Sequence, residues 1–237
     1  ILLFILGGFW GGSFFFNAIA IPEIPPLVVI FFRVAIASII LWVVVLAGGI
    51  KVPRDATTWV DLVIMAALNS ALPFFLIAWG QVHIASGLAS IMIGTTPLFA
   101  VVTAHFMTSD EKMSPGKVLG VLAGLVGVVV LIGPQFLGDI GKDLIAQLSV
   151  LGAAVCSAVS AIYGRRFSRR DTPPMMVATG QITMAAVLLL PFALIIDRPW
   201  ELAIPSMQAG GAVLGLAVLS TSFAYLIFFR ILARAGA

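Results

Sequence analysis

Long apolar runs alternate with short polar connections along almost the whole chain. The runs cover approximately 1–20, 25–47, 59–80, 85–107, 116–133, 145–164, 174–196 and 207–229. A helix needs about 20 apolar residues to cross the hydrocarbon core of a bilayer, so each run predicts one span. None alternates polar and apolar residues at period two, as the strands of a membrane barrel must. Backbone groups in lipid have to be satisfied within their own segment, which leaves helices. The pattern predicts an all-α polytopic membrane protein with no soluble domain of useful size. The first run has no basic segment before it and no small-x-small cleavage site, so it reads as a span and not as a signal peptide.

The runs repeat. "PPLVVIFFRVAIASII" from Pro25 returns as "PPMMVATGQITMAAVL" from Pro173, with Gln181 where the first copy has Arg33. "PFFLIAWGQVHIASG" from Pro73 aligns with "SFAYLIFFRILARAG" from Ser222, and the sixth run resembles the first, setting Trp10-Gly11 against Cys156-Ser157. Three matches in one order at one spacing define a repeat. The first unit, 1–133, holds five spans. An odd number reverses the direction of the second unit, 144–237, so the two are expected to be inverted copies. Such repeats are a signature of secondary transporters, whose site lies between the halves near the midplane. Gly236 aligns with Gly87, so two further spans are expected after it, giving ten helices in all with eight in this chain.

Charge adds an orientation. Lys51, Arg54, Lys112, Lys117, Arg165, Arg166, Arg169, Arg170, Arg230 and Arg234 fall on one side of the predicted bundle, ten of the thirteen basic residues. Only Lys142 and Arg198 fall on the other, and Arg33 is within a span. The positive-inside rule then predicts both termini of the ten-helix protein in the cytoplasm. The pI near 9.4 reflects a basic rim facing anionic lipid and calls for no nucleic-acid partner. Lone Cys156 sits inside a span and says nothing of redox compartment.

Several residues could line a site. Trp10, Phe14 and Asn17 share one helix face. Asn69 and Pro73 sit mid-span, where Pro73 removes a backbone hydrogen bond and frees the carbonyl of Asn69; Phe74 and Tyr225 follow in the aligned segments. Ser90, Thr95 and Pro97 lie along span four, and Ser157 and Tyr163 along span six. Each set fits a cavity wall or ordinary helix packing. Trp59 and Trp79 are about 30 Å apart along one helix, the spacing of two interfacial anchors. Gly116, Gly120, Gly124 and Gly127 form a close-packing ridge on span five, a scaffold or the contact face for a second copy. Arg33, roughly 12 Å into its span, reads first as a structural clamp at the outer rim, snorkelling toward Asn17, Glu23 or loop carbonyls. A contact with a substrate carboxylate is the other reading. The uncharged Gln181 at the mirror position favours the clamp.

Trp10-Gly11-Gly12-Ser13-Phe14, Phe32-Arg33, Thr96-Pro97-Leu98-Phe99-Ala100 and Asp110-Glu111-Lys112-Met113-Ser114-Pro115-Gly116 resemble the EamA-type pattern of the drug/metabolite transporter superfamily. The resemblance covers the whole chain and implies a five-plus-five carrier for small organic molecules working by alternating access. "NSALPFFLIAWGQ" from Asn69 is similar to the YddG-type bacterial amino-acid exporters, which implies neutral or aromatic amino acids as substrates, Trp79 near the cavity mouth, and a bacterial inner membrane.

The residues also exclude chemistries. No Asp or Glu lies deep in any run, with Asp61 the nearest, so a proton/cation exchanger built on an embedded carboxylate is not expected. Phosphorylated sugars would call for several buried cations, and only Arg33 qualifies. His83 and His105 lack the companions of a metal site, and no GxSxG, HExxH or paired aspartates suggest an enzyme. No cofactor is expected. The reading is export of neutral amino acids and related amphipathic metabolites. A carrier for a nucleoside or hydrophobic toxin, or a channel-like uniporter, is the alternative.

Overall fold

The computed structural model describes residues 1–108, 112–137 and 143–235. Asp110, Glu111, Lys142 and Gly236, which entered the motif, charge and repeat readings, lie outside the described residues. Eight long helices follow the eight apolar runs, and no strand occurs among the described residues. They are α1 (Leu2–Ala20), α2 (Pro26–Ala47), α3 (Ala56–Gln81), α4 (Ser86–Met107), α5 (Pro115–Leu137), α6 (Leu144–Ser168), α7 (Pro174–Asp197) and α8 (Met207–Ile231). Among the described residues, α1–α4 and α6–α8 are seven helices long and apolar enough to cross a membrane, and α5 carries the apolar run 116–133. The chain is therefore an all-helical, multi-pass membrane protein.

Local chemistry sets several helix starts. Pro26 and Pro174 occupy the first helical positions of α2 and α7, where a missing N–H costs nothing and φ is already set. Asp55 caps α3 by accepting from the Thr58 N–H at 2.8 Å, and Ser206 caps α8 by accepting from the Ala209 N–H. Each satisfies a backbone donor that the first turn leaves open.

The core is the contact between α2 and α7. Val29, Ile30, Val34, Ala37 and Leu41 pack in one cluster with Ala178, Ile182, Ala185 and Leu189. These two helices are apolar around most of their circumference, as buried helices are. Gly180 lets α3 approach α7: a methyl there would sit 2.6 Å from a Leu62 methyl. Ser38 and Trp42 on α2 both bond to the Thr183 hydroxyl on α7, at 2.8 and 3.0 Å. By contrast α1 exposes Leu3, Phe4 and Phe15 on its outer side, a surface suited to lipid.

Two helices widen into π turns at mid-length, Ala67–Ala71 in α3 and Val218–Phe223 in α8. Such turns recur at functional sites. In α3 the turn lies just before Pro73, so the expected break takes the form of a π turn and the helix continues. In α8 the hydroxyls of Thr221 and Ser222 donate to the carbonyls of Leu216 and Ala217, five residues back, at 2.9 and 2.8 Å. Helix α4 is interrupted at Gly94-Thr95, before Pro97. The glycine ridge of α5 is used unevenly. A methyl on Gly124 would meet Leu98 of α4 at 2.7 Å, whereas methyls on Gly120 and Gly127 would meet nothing. Gly116 has only Ser114 nearby.

Candidate functional site

At the depth of these interruptions the helices enclose a cavity of about 520 Å³. Its walls come from α1 (Trp10, Ser13, Phe14), α2 (Arg33), α3 (Asn69, Pro73, Phe74, Ile77), α4 (Ile93, Gly94, Thr96, Pro97), α6 (Ser157) and α8 (Ser220, Tyr225, Phe228). Aromatic and aliphatic groups dominate, and Trp10 and Phe228 approach with ring centres 5.8 Å apart. The polar groups are hydroxyls, the Trp10 indole, one amide, one phenol and one guanidinium, with no carboxylate on the wall among the described residues.

A hydrogen-bonded knot holds the floor of this cavity. Asn69 accepts from the Ser160 hydroxyl at 2.9 Å and donates to Gln181 at 3.3 Å and to the Tyr225 phenol oxygen at 3.2 Å. Gln181 also donates to that phenol oxygen, at 2.9 Å. Four helices, α3, α6, α7 and α8, are thereby tied through the half-buried amide of Asn69. A satisfied polar network fixes a unique packing, and each member lost strands its partners.

Of the residues singled out from the sequence, Trp10, Phe14, Asn69, Pro73, Phe74, Pro97, Ser157 and Tyr225 come together on the cavity wall. The others do not. Asn17 turns to the end of α3, donating to Gln81 at 2.9 Å, while Gln81 donates to the Phe14 carbonyl and the Ser86 hydroxyl. Trp79 packs beside His83 and the Ile84–Leu88 cluster. The hydroxyls of Ser90 and Thr95 donate to carbonyls of their own helix, Gly87 and Met92, a local alternative always open to Ser and Thr. Tyr163 donates to Asp61 at 2.6 Å. Ser220 and Phe228 were missed; Ser220 lies two residues before the aligned segment of α8 and Phe228 within it, and nothing there distinguished lining from packing positions.

One expectation about charge is corrected. Arg33 does not reach Asn17, Glu23 or the outer loops. It is buried, lines the cavity, donates through Nε to Thr221 at 2.9 Å and lies over the Phe74 ring at 3.8 Å. Glu23 instead accepts from the backbone N–H and hydroxyl of Ser206, both at 2.7 Å. Asp61, the carboxylate nearest to a span interior, is buried and held by Arg166 at 2.7 Å and Arg170 at 2.6 Å as well as by Tyr163. Arg166 also lies over the Tyr163 ring at 3.5 Å. This cluster joins α3 to the end of α6, away from the cavity.

The EamA-like transporter family matches residues 1–133 and 144–237 of this chain. The chain belongs to that family. Relatives of this EamA-like protein include the uncharacterized transporter YoaV of Bacillus subtilis, 27% identical over 94% of this chain and 75% of its own. An uncharacterized transporter of Archaeoglobus fulgidus is 25% identical, covering 99% of this chain and 80% of its own. The uncharacterized inner membrane transporter YedA of Escherichia coli K12 is 28% identical over 94% and 70%. A solved crystal structure superposes with a TM-score of 0.69 over 96% of this chain and 77% of that one, at 21% identity, a likeness of fold. The EamA-like protein is thus a membrane transporter, and its family is one of transporters.

Proposed function

We propose that this transporter exports neutral amino acids with bulky or apolar side chains by alternating access. The observation that carries the reading is the make-up of the cavity: aromatic walls, a few hydroxyls, one amide, the Arg33 guanidinium and, among the described residues, no carboxylate. Apolar walls favour side-chain burial at about 25 cal/mol per Å², and the polar groups suit an amino-acid backbone. The volume lies within the ordinary range for small-molecule sites, about 300–1,000 Å³. Residues 1–133 and 144–237 act as inverted units around this site. Support comes from the Pro-led pair α2 and α7 at the core and from the π turns at comparable places in α3 and α8. The basic side of the bundle, which includes the Asp61 cluster, faces the cytoplasm of a bacterial inner membrane.

Competition against labelled phenylalanine in proteoliposomes tests the substrate class. Phenylalanine, methionine and threonine compete, and glutamate and a sugar phosphate do not. Competition by the sugar phosphate alone would sink the proposal. For orientation, Arg198→Cys in a Cys156→Ser background reacts with an impermeant maleimide from outside the cell; reaction only in inverted vesicles reverses the assignment.

A further inference from the structure

We propose that Arg33 is an anion anchor inside the cavity, taking the carboxylate of the transported solute, with Thr221 and Phe74 as its positioning residues. The inference rests on the amino-acid reading above and deepens it. Arg33 is 5% exposed. Among the described residues it has no carboxylate within salt-bridging distance, and Nε to Thr221 is its one hydrogen bond. Among the described residues its terminal Nη groups therefore have no hydrogen-bond partner, although Arg33 forms part of the cavity wall. A buried charge left uncompensated is strongly unfavourable, and an ionisable group within a membrane is usually functional. The guanidinium fork is matched to a carboxylate, which it binds through two parallel bonds.

The comparison with Gln181 separates an anchor from a clamp. The two occupy corresponding positions of α2 and α7, and both are buried. Gln181 spends its amide on Asn69 and Tyr225 and does not reach the cavity wall. A clamp looks like Gln181, with its polar atoms met by protein. Arg33 has one bond and the cavity.

The geometry around Arg33 is built to hold it still. The Thr221 hydroxyl gives its proton to the Leu216 carbonyl across the π turn, so toward Arg33 it can only accept. The Phe74 ring takes one face of the guanidinium plane, a cation–π contact that leaves the edge of the fork for a ligand. Ser220, next to Thr221, is 1% exposed, lines the cavity, and its hydroxyl has no partner.

The test uses the purified full chain in two assays. In proteoliposomes carrying labelled phenylalanine, phenylalanine competes about tenfold or more better than phenylalaninamide, as expected for a charge-assisted pair. Arg33→Gln and Thr221→Val lower that ratio toward one, and Thr221→Ser restores it. In detergent, 3-phenylpropionate raises the melting temperature of the wild type, 3-phenylpropanol does not, and Arg33→Gln abolishes the shift. Equal competition by the acid and the amide overturns the anchor while leaving the amino-acid reading intact. If phenylalanine is not carried at all, that reading fails, and the melting-temperature arm decides the anchor alone: no stabilisation by the carboxylate overturns it. Should Arg33→Gln fail to fold, Thr221→Val, which keeps the charge, carries the same comparison.

Discussion

The side-chain amide of Asn69 donates to the Tyr225 phenol oxygen at 3.2 Å, joining α3 to α8 across 156 positions of chain. The same oxygen accepts from Gln181 at 2.9 Å, so Tyr225 is the meeting point of two amides, the buried Gln181 and the half-buried Asn69. Tyr225→Phe keeps the ring but strands both donors. Leaving buried donors unsatisfied costs about 1–3 kcal/mol, and that loss of stability is expected here. Thermal unfolding in detergent measures it. A double-mutant cycle with Asn69→Ala should show coupling, and additive effects would mean that the bond contributes nothing.

The Asp61 cluster makes a different prediction because its cations are half in solvent. The Arg166 and Arg170 side chains are 42% and 40% exposed, the Asp61 carboxylate side chain 7%. Asp61→Asn weakens two ion pairs and the Tyr163 bond together, but both arginines can turn to water. The expected destabilisation is about 2 kcal/mol, below the larger loss seen when a fully buried charge is stranded. Arg166→Gln should cost less, since Arg170 and Tyr163 still hold Asp61. Equal stability of wild type and Asp61→Asn would show that the cluster is a solvated pair of no consequence.

The link between Glu23 and Ser206 gives a pH dependence. The backbone N–H of Ser206, and next its hydroxyl, hold the Glu23 carboxyl below the usual glutamate range. A depressed folded-state value means that the ionised form is the bonded one. The stabilisation is therefore complete above the ordinary glutamate pKa and is lost as pH falls through the depressed value. Because Glu23 is exposed, the effect is small. Melting temperatures of wild type and Glu23→Gln, compared from neutral to acid pH, should converge at the acid end. A gap that widens on acidification would reverse the sign and refute the link.

The helices were legible because a span is written locally, in some twenty apolar residues and a capping Pro, Asp or Ser. Much of the cavity was legible for a similar reason: Trp10 and Phe14 share a helix face, and Asn69 with Pro73 marks a backbone interruption. What sequence reading could not resolve was the direction of polar side chains with two options. Ser90 and Thr95 bond back to their own helix, and only the packed bundle decides that against a cavity. Tyr163 and Asp61 are 102 positions apart, so neither advertises the other. Arg33 was read as snorkelling outward because a charge in lipid normally escapes to the nearer surface. A hydroxyl 188 positions away and an aromatic face on α3 turned it inward.

Glycine positions separate close packing from mere composition, and this yields the last prediction. Gly80 near the end of α3 faces α6, where an added methyl would sit 2.6 Å from a Val150 methyl and 3.2 Å from the Ala146 carbonyl. The Val150 side chain is β-branched and stiff, and the carbonyl belongs to a helix backbone, so neither yields cheaply. Gly80→Ala is expected to destabilise by about 1–3 kcal/mol, the usual result of overpacking. Gly120 on α5 carries the same residue type in a helix with open space at its methyl position. There the substitution should be neutral or stabilising by up to about 1 kcal/mol, since alanine is the better helix former. The pair is compared by melting temperature under one detergent condition. If Gly120→Ala destabilises as much as Gly80→Ala, the Gly120 face of α5 is packed against something, and its reading as open surface is wrong.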